Sequence, residues 1–218
     1  MPCYRSFFIL MYLILLALPC VCFGKQTQSS QEHIRKKLIT IDPGHGGVDF
    51  GACSNNIKEK DLALKTALLA KKHLNRMGFR VILTRTRDLF LPLPKRVAIA
   101  NDTKSRLFIS IHYNAHLSSE ARGIEIYYYK KGGKKRIAAS QKLSQNILSR
   151  LTKRTKAPSR GMKHGNFHVI RETHMPAILI EGGFITNQKD ATHLKDMKYI
   201  DQIAQAIAEG VNRYFYQK

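Results

Sequence analysis

Cysteine is scarce in this sequence. Three of its four cysteines fall within the first 24 residues, and Cys53 alone follows them. The segment beyond residue 24 therefore has no internal disulfide. A structural zinc site built from several cysteines is excluded for the same reason. We interpret Cys53 as an unreactive residue.

Acidic residues are also few: 15 Asp and Glu stand against 37 Lys and Arg, a formal net charge of +22. An excess of positive charge suits a polyanionic partner such as nucleic acid, an anionic membrane face or an acidic cell-wall polymer. Charge by itself does not choose among these partners. The sequence contains no recognised nucleic-acid-binding motif, so we predict that nucleic acid is not a partner.

Long apolar runs are missing as well. The run Phe7–Leu18 has twelve residues, whereas a membrane-spanning helix needs about 20. Arg5 precedes this run, and Pro19 and small residues up to Gly24 follow it, which is the layout of a secretory signal peptide. We predict that residues 1–24 are removed, which lowers the net charge from +22 to +21 because Arg5 is their one charged residue. The mature protein would be exported to the periplasm or cell envelope without a stable membrane span. The alternatives are an uncleaved anchor and a lipid attached to Cys20 or Cys22.

The pattern of apolar residues predicts a single α/β domain. After a polar linker over residues 25–36, short apolar runs alternate with helical periodicities from residue 37 to residue 218. Such alternation is typical of a twisted, mostly parallel sheet flanked by helices on both faces. The predicted strands cover residues 37–41, 80–84, 107–112, 123–129, 167–170 and 177–180, and the predicted helices cover residues 59–77, 95–102, 136–151 and 200–215.

In sheets of this class, functional side chains collect beyond the carboxyl ends of strands. The first strand runs into a glycine-rich turn, residues 42–47, that carries His45. This turn lacks the Lys-Ser/Thr of a phosphate-binding loop and the spacing of a dinucleotide site. Another predicted strand ends at His112, and Asn114 comes two residues later. Each histidine is a candidate metal ligand, although a strand-terminal histidine taken alone is more often a packed, hydrogen-bonded residue.

Two carboxylates stand at similar positions. Glu181 directly follows an apolar strand, where loss of water would raise its pKa into the range of a general acid or base. Glu59 opens the first long helix, where the helix dipole also favours an acidic residue for purely structural reasons. Two histidines and one carboxylate from separate elements are the ligand set of a catalytic zinc site with an open position.

The ordered segments IDPGHGG, SIHYNA, GIEIYYY and RGMKHGNFHVIRETHMPAILIEGGFITN, together with Glu59 at a helix start, resemble the zinc-dependent N-acetylmuramoyl-L-alanine amidases. The resemblance covers about residues 37–216. It implies that His45, Glu59 and His112 bind one zinc ion and that Glu181 is the catalytic carboxylate. The implied reaction is hydrolysis of the amide between N-acetylmuramic acid and the L-alanine of the peptidoglycan stem peptide, in cell-wall remodelling or cell separation.

Two features depart from the usual pattern of that family. Tyr113 stands where relatives more often have a small residue, so we predict that it narrows the substrate groove. Residues 130–135 alone separate a predicted strand from the next helix, leaving no room for the autoinhibitory helix of some relatives. We therefore predict that no activator protein is required.

We also predict that Asn114 and Arg160 hold substrate.

Other functions remain open at this stage. A zinc carboxypeptidase would use similar ligands but release one terminal amino acid. A serine-type peptidase is a minor alternative, because the sequence has no Ser-x-x-Lys segment for its nucleophile. An exported polyanion-binding protein without enzymatic activity would use the positive charge but leave the His and Glu residues without a role.

Overall fold

The structure is a computed structural model that describes residues 38–216. The predicted signal peptide (residues 1–24) and linker (residues 25–36) lie outside the described residues. Within residues 38–216 the chain forms eight strands and six helices. The strands are β1 (Leu38–Pro43), β2 (Cys53–Ser54), β3 (Ile57–Lys58), β4 (Arg80–Leu83), β5 (Leu107–Asn114), β6 (Ile124–Tyr128), β7 (Ser159–His164) and β8 (Ala177–Phe184), and the helices are α1 (Glu59–Arg76), α2 (Leu93–Asp102), α3 (Lys134–Thr155), α4 (His168–Glu172), α5 (Gln188–Leu194) and α6 (Met197–Tyr216).

Six of these strands form one sheet in the order β4-β1-β5-β8-β6-β7. Strands β4, β1, β5 and β8 are parallel to one another. Strand β6 is antiparallel to β8, and β7 is parallel to β6. The mostly parallel sheet predicted from the sequence is therefore confirmed. Because β1, β5 and β8 run the same way, all three begin at one edge of the sheet, the amino edge, and end at the opposite, carboxyl edge.

The two faces of the sheet carry cores of unequal size. On the first face, Ile41, Ile109 and Ile180 are buried with apolar side chains of α1, α3 and α6. On the second face, Phe108 and Leu179 pack with apolar side chains of α2 and α4. Successive side chains of a strand point to opposite faces, which explains this division. Helices cover both faces, as predicted.

Helix α6 shows why its sequence signal is so clear. Its apolar residues recur at helical spacing, and Ile203, Ile207 and Val211 are fully buried. Gly210 lets α6 approach α3 closely, since a Cβ at this position would lie 2.6 Å from the Cα of Ile147. Helix α1 ends as predicted near Gly78, whose φ of 84° suits glycine.

Between residues 159 and 194, one predicted strand is wrong and two short elements have no sequence prediction. Residues 167–170, predicted as a strand, lie mostly in helix α4. A short apolar run such as Val169-Ile170 does not distinguish a buried strand from a buried helix by periodicity. Strand β7 was not predicted, because it is an edge strand whose side chains are exposed or half-buried and give little apolar signal. Helix α5 was also missed: it is short and begins where the Asn187 side chain accepts a hydrogen bond from Asp190 N.

Two further features belong to the described part of the chain. Cys53 is a free, exposed cysteine there. Among residues 38–216, no helix combines the length and the apolar character needed to cross a membrane.

Candidate metal and catalytic site

The loop after β1 brings His45 over the carboxyl edge of the sheet. Gly44 N donates a hydrogen bond to Ile111 O at 3.0 Å, which ties the loop to β5. Gly44 must be glycine, because a Cβ at this position would overlap the imidazole ring of His112. His45 itself has a φ of 58°, a left-handed conformation that is uncommon outside glycine. Surrounding contacts must therefore hold this residue in place.

Two buried arginines supply those contacts. Arg96 donates to His45 O at 2.7 Å and to the carboxylate of Asp42 at 2.8 Å. Arg85 and Arg96 both donate to Pro43 O, at 3.0 Å and 2.7 Å. The Asp42 side chain is 1% exposed and the Arg96 side chain 3% exposed, so this is a buried ion pair with several hydrogen bonds. The backbone around His45 is thereby fixed from the core side.

Glu59, the first residue of α1, lies between the two histidines. Its Oε1 is 3.1 Å from His45 Nε2 and 2.8 Å from His112 Nδ1. Its Oε2 accepts a hydrogen bond from Ala52 N at 2.9 Å. Gly51 permits this arrangement, since a Cβ there would lie 2.6 Å from Glu59 Oε2. The start of a helix, predicted from the sequence, thus brings a carboxylate to two histidines on other elements.

These three side chains form a group that could hold a metal ion. One ligand atom from each of His45, Glu59 and His112 lies within 4.8 Å of the others. The second ring nitrogen of His45, Nδ1, is 2.9 Å from the carboxylate of Asp49, which leaves Nε2 directed at the group. A histidine whose other nitrogen bonds a carboxylate is the usual arrangement for a metal ligand.

The electrostatics agree with this geometry. Burial alone would raise the pKa of Glu59, but hydrogen bonds and opposite charge from His112 and His45 hold it well below its usual value. Burial alone would lower the pKa of His45, but Glu59 and Asp49 together raise it. Glu59 therefore stays ionised, as a metal-binding carboxylate must.

A row of polar residues extends from this group across the sheet. His112 of β5 is the register partner of Glu181 of β8, and Glu181 is the partner of Glu125 of β6. Their side chains share the second face, because each alternates with residues of the first core. Glu181 is 9% exposed, and its Oε2 has no hydrogen-bond partner among the described residues. Burial, followed by the charges of Glu59 and Glu125, raises the pKa of Glu181 well above its usual value.

Glu125 is the third carboxylate of the row, and it is fully partnered. It accepts hydrogen bonds from Asn114 Nδ2 at 2.9 Å, Tyr127 OH at 2.6 Å, Arg160 Nε at 2.8 Å and Lys163 Nζ at 2.6 Å. Burial would raise its pKa, but these donors hold it below its usual value. Asn114 and Arg160, predicted to hold substrate, are therefore brought together at the far end of the row.

The prediction for Tyr113 is wrong. Its side chain is 1% exposed and points into the first core, where its hydroxyl lies 2.5 Å from Thr66 Oγ1. Tyr113 follows His112 directly on β5, so strand alternation directs it to the opposite face. It contacts the backbone of Gly182, where a Cβ would lie 2.7 Å from its ring. Tyr113 thus packs beneath the site and does not narrow a groove.

A cavity of about 250 Å³ opens beside the two histidines. Its lining includes His45 and His112 together with Phe90 and Leu93. The last two side chains are each 51% exposed, so the cavity has an apolar rim that faces solvent. The histidine end of the polar row therefore borders a space that opens to solvent.

Several residues of the site escaped sequence reasoning. Asp49 and Arg96 act through contacts with His45, and no local sequence pattern predicts these contacts. Glu125 did carry a signal, because a carboxylate between Ile124 and Ile126 in an alternating strand falls on the face opposite the apolar residues. The relation of that face to the site is seen only in the sheet, where β6 lies beside β8 and Glu125 pairs with Glu181.

Comparisons with known proteins agree with this arrangement. A sequence profile of the N-acetylmuramoyl-L-alanine amidases matches residues 39–213. The chain is 40% identical over 179 residues to N-acetylmuramoyl-L-alanine amidase LytC of Bacillus subtilis, covering 82% of this chain and 36% of LytC. It is 36% identical to the probable cell wall amidase LytH of Staphylococcus epidermidis, covering 85% of this chain and 61% of LytH. The chain thus spans less than two thirds of the length of either relative.

A solved structure gives the same result at the level of the fold. The catalytic domain of CwlV, an N-acetylmuramoyl-L-alanine amidase from Bacillus (Paenibacillus) polymyxa var. colistinus, superimposes with a TM-score of 0.76 at 38% identity. The match covers 84% of this chain and 99% of that domain. On the profile match and these similarities, the chain belongs to the N-acetylmuramoyl-L-alanine amidase family.

Proposed function

We propose that the protein is a zinc-dependent amidase that hydrolyses the bond between N-acetylmuramic acid and the L-alanine of the peptidoglycan stem peptide. One observation carries this proposal: the group His45, Glu59 and His112 lies beside Glu181, a buried carboxylate whose Oε2 has no hydrogen-bond partner within residues 38–216. The choice of the amide bond between N-acetylmuramic acid and L-alanine rests on membership of the family.

The donor set fits a zinc ion. Two imidazole nitrogens and one carboxylate oxygen from His45, Glu59 and His112 are the ligand types of catalytic zinc sites. When bound, zinc with an open position polarises a carbonyl and lowers the pKa of a water molecule to about 7. Asp49 holds the His45 ring, and Arg96 holds the His45 backbone, so this ligand is oriented before any metal arrives.

Glu181 is the residue that moves the proton in this proposal. A carboxylate with a raised pKa accepts a proton from the attacking water and later delivers it to the leaving amine nitrogen. Burial raises the pKa of Glu181 because no donor in the described chain stabilises the charged form at Oε2, and this favours the exchange. Glu59, whose pKa is held low, would serve poorly in the same role.

Asn114 and Arg160 hold the substrate in this proposal. Arg160 donates to Glu125 through Nε, and its guanidinium lies 4.9 Å from the centre of the Phe184 ring. Its two terminal nitrogens have no hydrogen-bond partner within residues 38–216, so they are free to bind carbonyl or carboxylate groups of a peptide. His112 lies on β5 and Arg160 on β7, three inter-strand spacings away in the sheet. At about 4.8 Å per spacing, a substrate held at His112 would have to extend across β8 and β6 to reach Arg160.

The enzyme acts without an activator protein in this proposal. Strand β6 ends at Tyr128 and α3 begins at Lys134, so residues 129–133 form a short connection with no inserted helix over the site. Activity of the purified protein that rises only after an activator is added would argue against this point.

We further propose that residues 1–24 direct export and that the mature chain works in the periplasm or cell envelope on the wall. The relatives named above include a probable cell wall amidase. Amino-terminal sequencing of the protein recovered from the cell envelope tests this point; a start at residue 1 would indicate an uncleaved anchor.

Mass spectrometry of purified peptidoglycan tests the activity. The zinc-loaded mature protein should release intact stem peptides with free L-alanine amino termini, and a chelator should stop this release. A Glu181→Gln protein serves as the matched control. Release of single terminal amino acids would instead indicate a carboxypeptidase, and binding to the wall without any cleavage would indicate a polyanion-binding protein.

A further inference from the structure

A second cavity lies at the amino edge of the sheet, opposite the site. It measures about 770 Å³ and opens below the first residues of β5 and β8, between α2, α3 and α6. Its lining includes the basic side chains Lys104, Arg106, Lys142 and His174 and the aromatic side chains Tyr214 and Phe215. Among residues 38–216, no carboxylate lines it.

The positive charges of this cavity are not neutralised within the described part of the chain. The side chains of Lys104 and Arg106 make no hydrogen bond or ion pair there, and Lys142 contacts only the Tyr214 ring, at 5.8 Å from its centre. The carboxyl edge is the opposite case, since Glu59 and Glu181 lie there. The sheet therefore separates a carboxylate-rich catalytic edge from a basic edge.

The path of the chain adds a second observation. Leu38 begins β1, and Leu38 O accepts a hydrogen bond from Arg106 N at 2.8 Å. The described part of the chain therefore begins beside the cavity. In sequence it is preceded by a basic stretch at residues 35–37, which has the same sign of charge as the cavity.

We infer that the amino edge docks the domain on an anionic phospholipid surface, with lipid phosphate groups at Lys104, Arg106 and Lys142. Basic side chains near a membrane are attracted to anionic headgroups. Tyr214 and Phe215 are half-buried rings, of the kind that lies at the boundary between headgroups and water. The catalytic edge then faces away from the membrane, toward the side on which the wall lies.

Vesicle co-sedimentation tests this inference and requires no catalytic activity, so it stands or falls separately from the proposed amidase function. The protein is the chain from Lys25 onward, because residues 38–216 contain the whole sheet and both cores. It should bind vesicles that contain phosphatidylglycerol, and it should bind phosphatidylcholine vesicles much more weakly. High salt should release it.

A charge-matched pair of variants makes the test specific. The triple variant Lys104→Glu, Arg106→Glu, Lys142→Glu should bind the anionic vesicles at least about tenfold more weakly. The control Lys189→Glu, Lys195→Glu, Lys198→Glu changes the net charge equally, on exposed residues of the carboxyl side. It should bind within about twofold of the unaltered protein, since surface attraction falls off within a Debye length. Unchanged thermal unfolding of both proteins shows that each is folded.

Three results would overturn the inference. Equal weakening by both triple variants would show that only net charge matters. Unchanged binding by the amino-edge variant would show that the cavity is not the contact. The third result comes from soluble polyphosphate used in place of vesicles. If the unaltered protein binds polyphosphate as tightly as vesicles, and the amino-edge variant weakens both kinds of binding equally, the cavity binds a soluble phosphate polymer and not a membrane.

Discussion

Two buried carboxylates on the catalytic edge, Glu59 and Glu181, have opposite surroundings. Glu59 has both oxygens occupied: His45 and His112 lie at Oε1, and Ala52 N donates to Oε2. Glu181 is buried to a similar extent, yet its Oε2 has no partner in the described chain. Burial disfavours charge on both groups, but only Glu59 has cations and donors that outweigh this effect.

The comparison shows how one edge can divide two tasks between identical functional groups. A carboxylate whose pKa is held low remains an anion and can bind a metal ion. A carboxylate whose pKa is raised can exchange a proton near neutral pH. Pairs of groups whose pKa values are driven apart are the expected sign of such a division. The predictions that follow test whether the two regions really differ in this way.

The largest loss of activity is expected at the metal end of the polar row, which is the group His45, Glu59 and His112. His112→Ala removes one of the three proposed ligands, so the zinc content proposed here, one ion per chain, should fall to none and hydrolysis should be lost. Metal analysis after dialysis, together with the peptidoglycan assay, checks this result. His73→Ala is the matched control, because His73 pairs with Asp201 away from the site; zinc retained by the His112→Ala protein would refute the ligand assignment.

The next effect concerns the proton carrier. Glu181→Gln preserves shape but removes proton exchange, so kcat should fall about 10²–10⁴-fold. Zinc content should stay at the level of the unaltered protein, because Glu181 is not one of the three clustered ligands. Turnover on muropeptides and metal analysis on the same sample make the measurement. If zinc were lost together with activity, Glu181 would belong to the metal end and the comparison would fail.

A smaller effect is expected for the residue that orients His45. Asp49→Asn weakens the interaction with His45 Nδ1, now 2.9 Å from the carboxylate, so zinc affinity should drop about 10–100-fold. Competition with a coloured chelator measures it. Asp61→Asn is the control, since Asp61 is exposed on α1. Equal affinities of the two variants would remove Asp49 from the metal site.

The raised pKa of Glu181 also predicts a pH-dependent stability. Between its usual value of 4.5 and its raised folded value, the folded state binds a proton that the unfolded state has released. The contribution of Glu181 to the free energy of unfolding is therefore fully present below pH 4.5 and is lost as pH rises through the folded pKa.

Glu181→Gln removes this titration, so the metal-free variant should be more stable than the unaltered protein near pH 7 by about 1–3 kcal/mol. The difference should shrink as pH falls to 4.5. Denaturant unfolding across this pH range measures it, with Glu125→Gln as a control that should destabilise, because Glu125 is fully partnered. A destabilised Glu181→Gln protein would mean that Glu181 has a partner in solution.

The smallest effect is expected at the far end of the polar row. Arg160→Gln removes the guanidinium nitrogens that have no partner within residues 38–216, and we expect one of them to make a charged hydrogen bond with the substrate. KM should therefore rise about tenfold while kcat changes little. Lys153→Gln removes the same charge from an exposed position on α3 and should leave KM unchanged. A fall in kcat without a change in KM would assign Arg160 to the chemistry and not to binding.

Much of the architecture was accessible from local patterns. Apolar runs and helical periodicity predicted β1, β5, β8, α1 and α6, because each is long or strongly periodic. The edge strand β7 and the short helices α4 and α5 gave weak or ambiguous signals, because few of their residues are both apolar and regularly spaced. The prediction for Tyr113 was wrong because it rested on the size of the side chain relative to that in the family, whereas strand alternation buries this side chain on the face opposite His112.

Local sequence patterns are enough to predict the α/β alternation, and they place His45 after β1, Glu59 at a helix start, and His112 and Glu181 near the carboxyl ends of β5 and β8. These features depend on neighbours within a few residues along the chain. The approach of Glu59 to His112 at 2.8 Å across 53 positions, and the alignment of Glu125 with Glu181, require the folded chain. Strand order and register set those distances, and both follow from packing of the whole sheet between its helices, which no local pattern encodes.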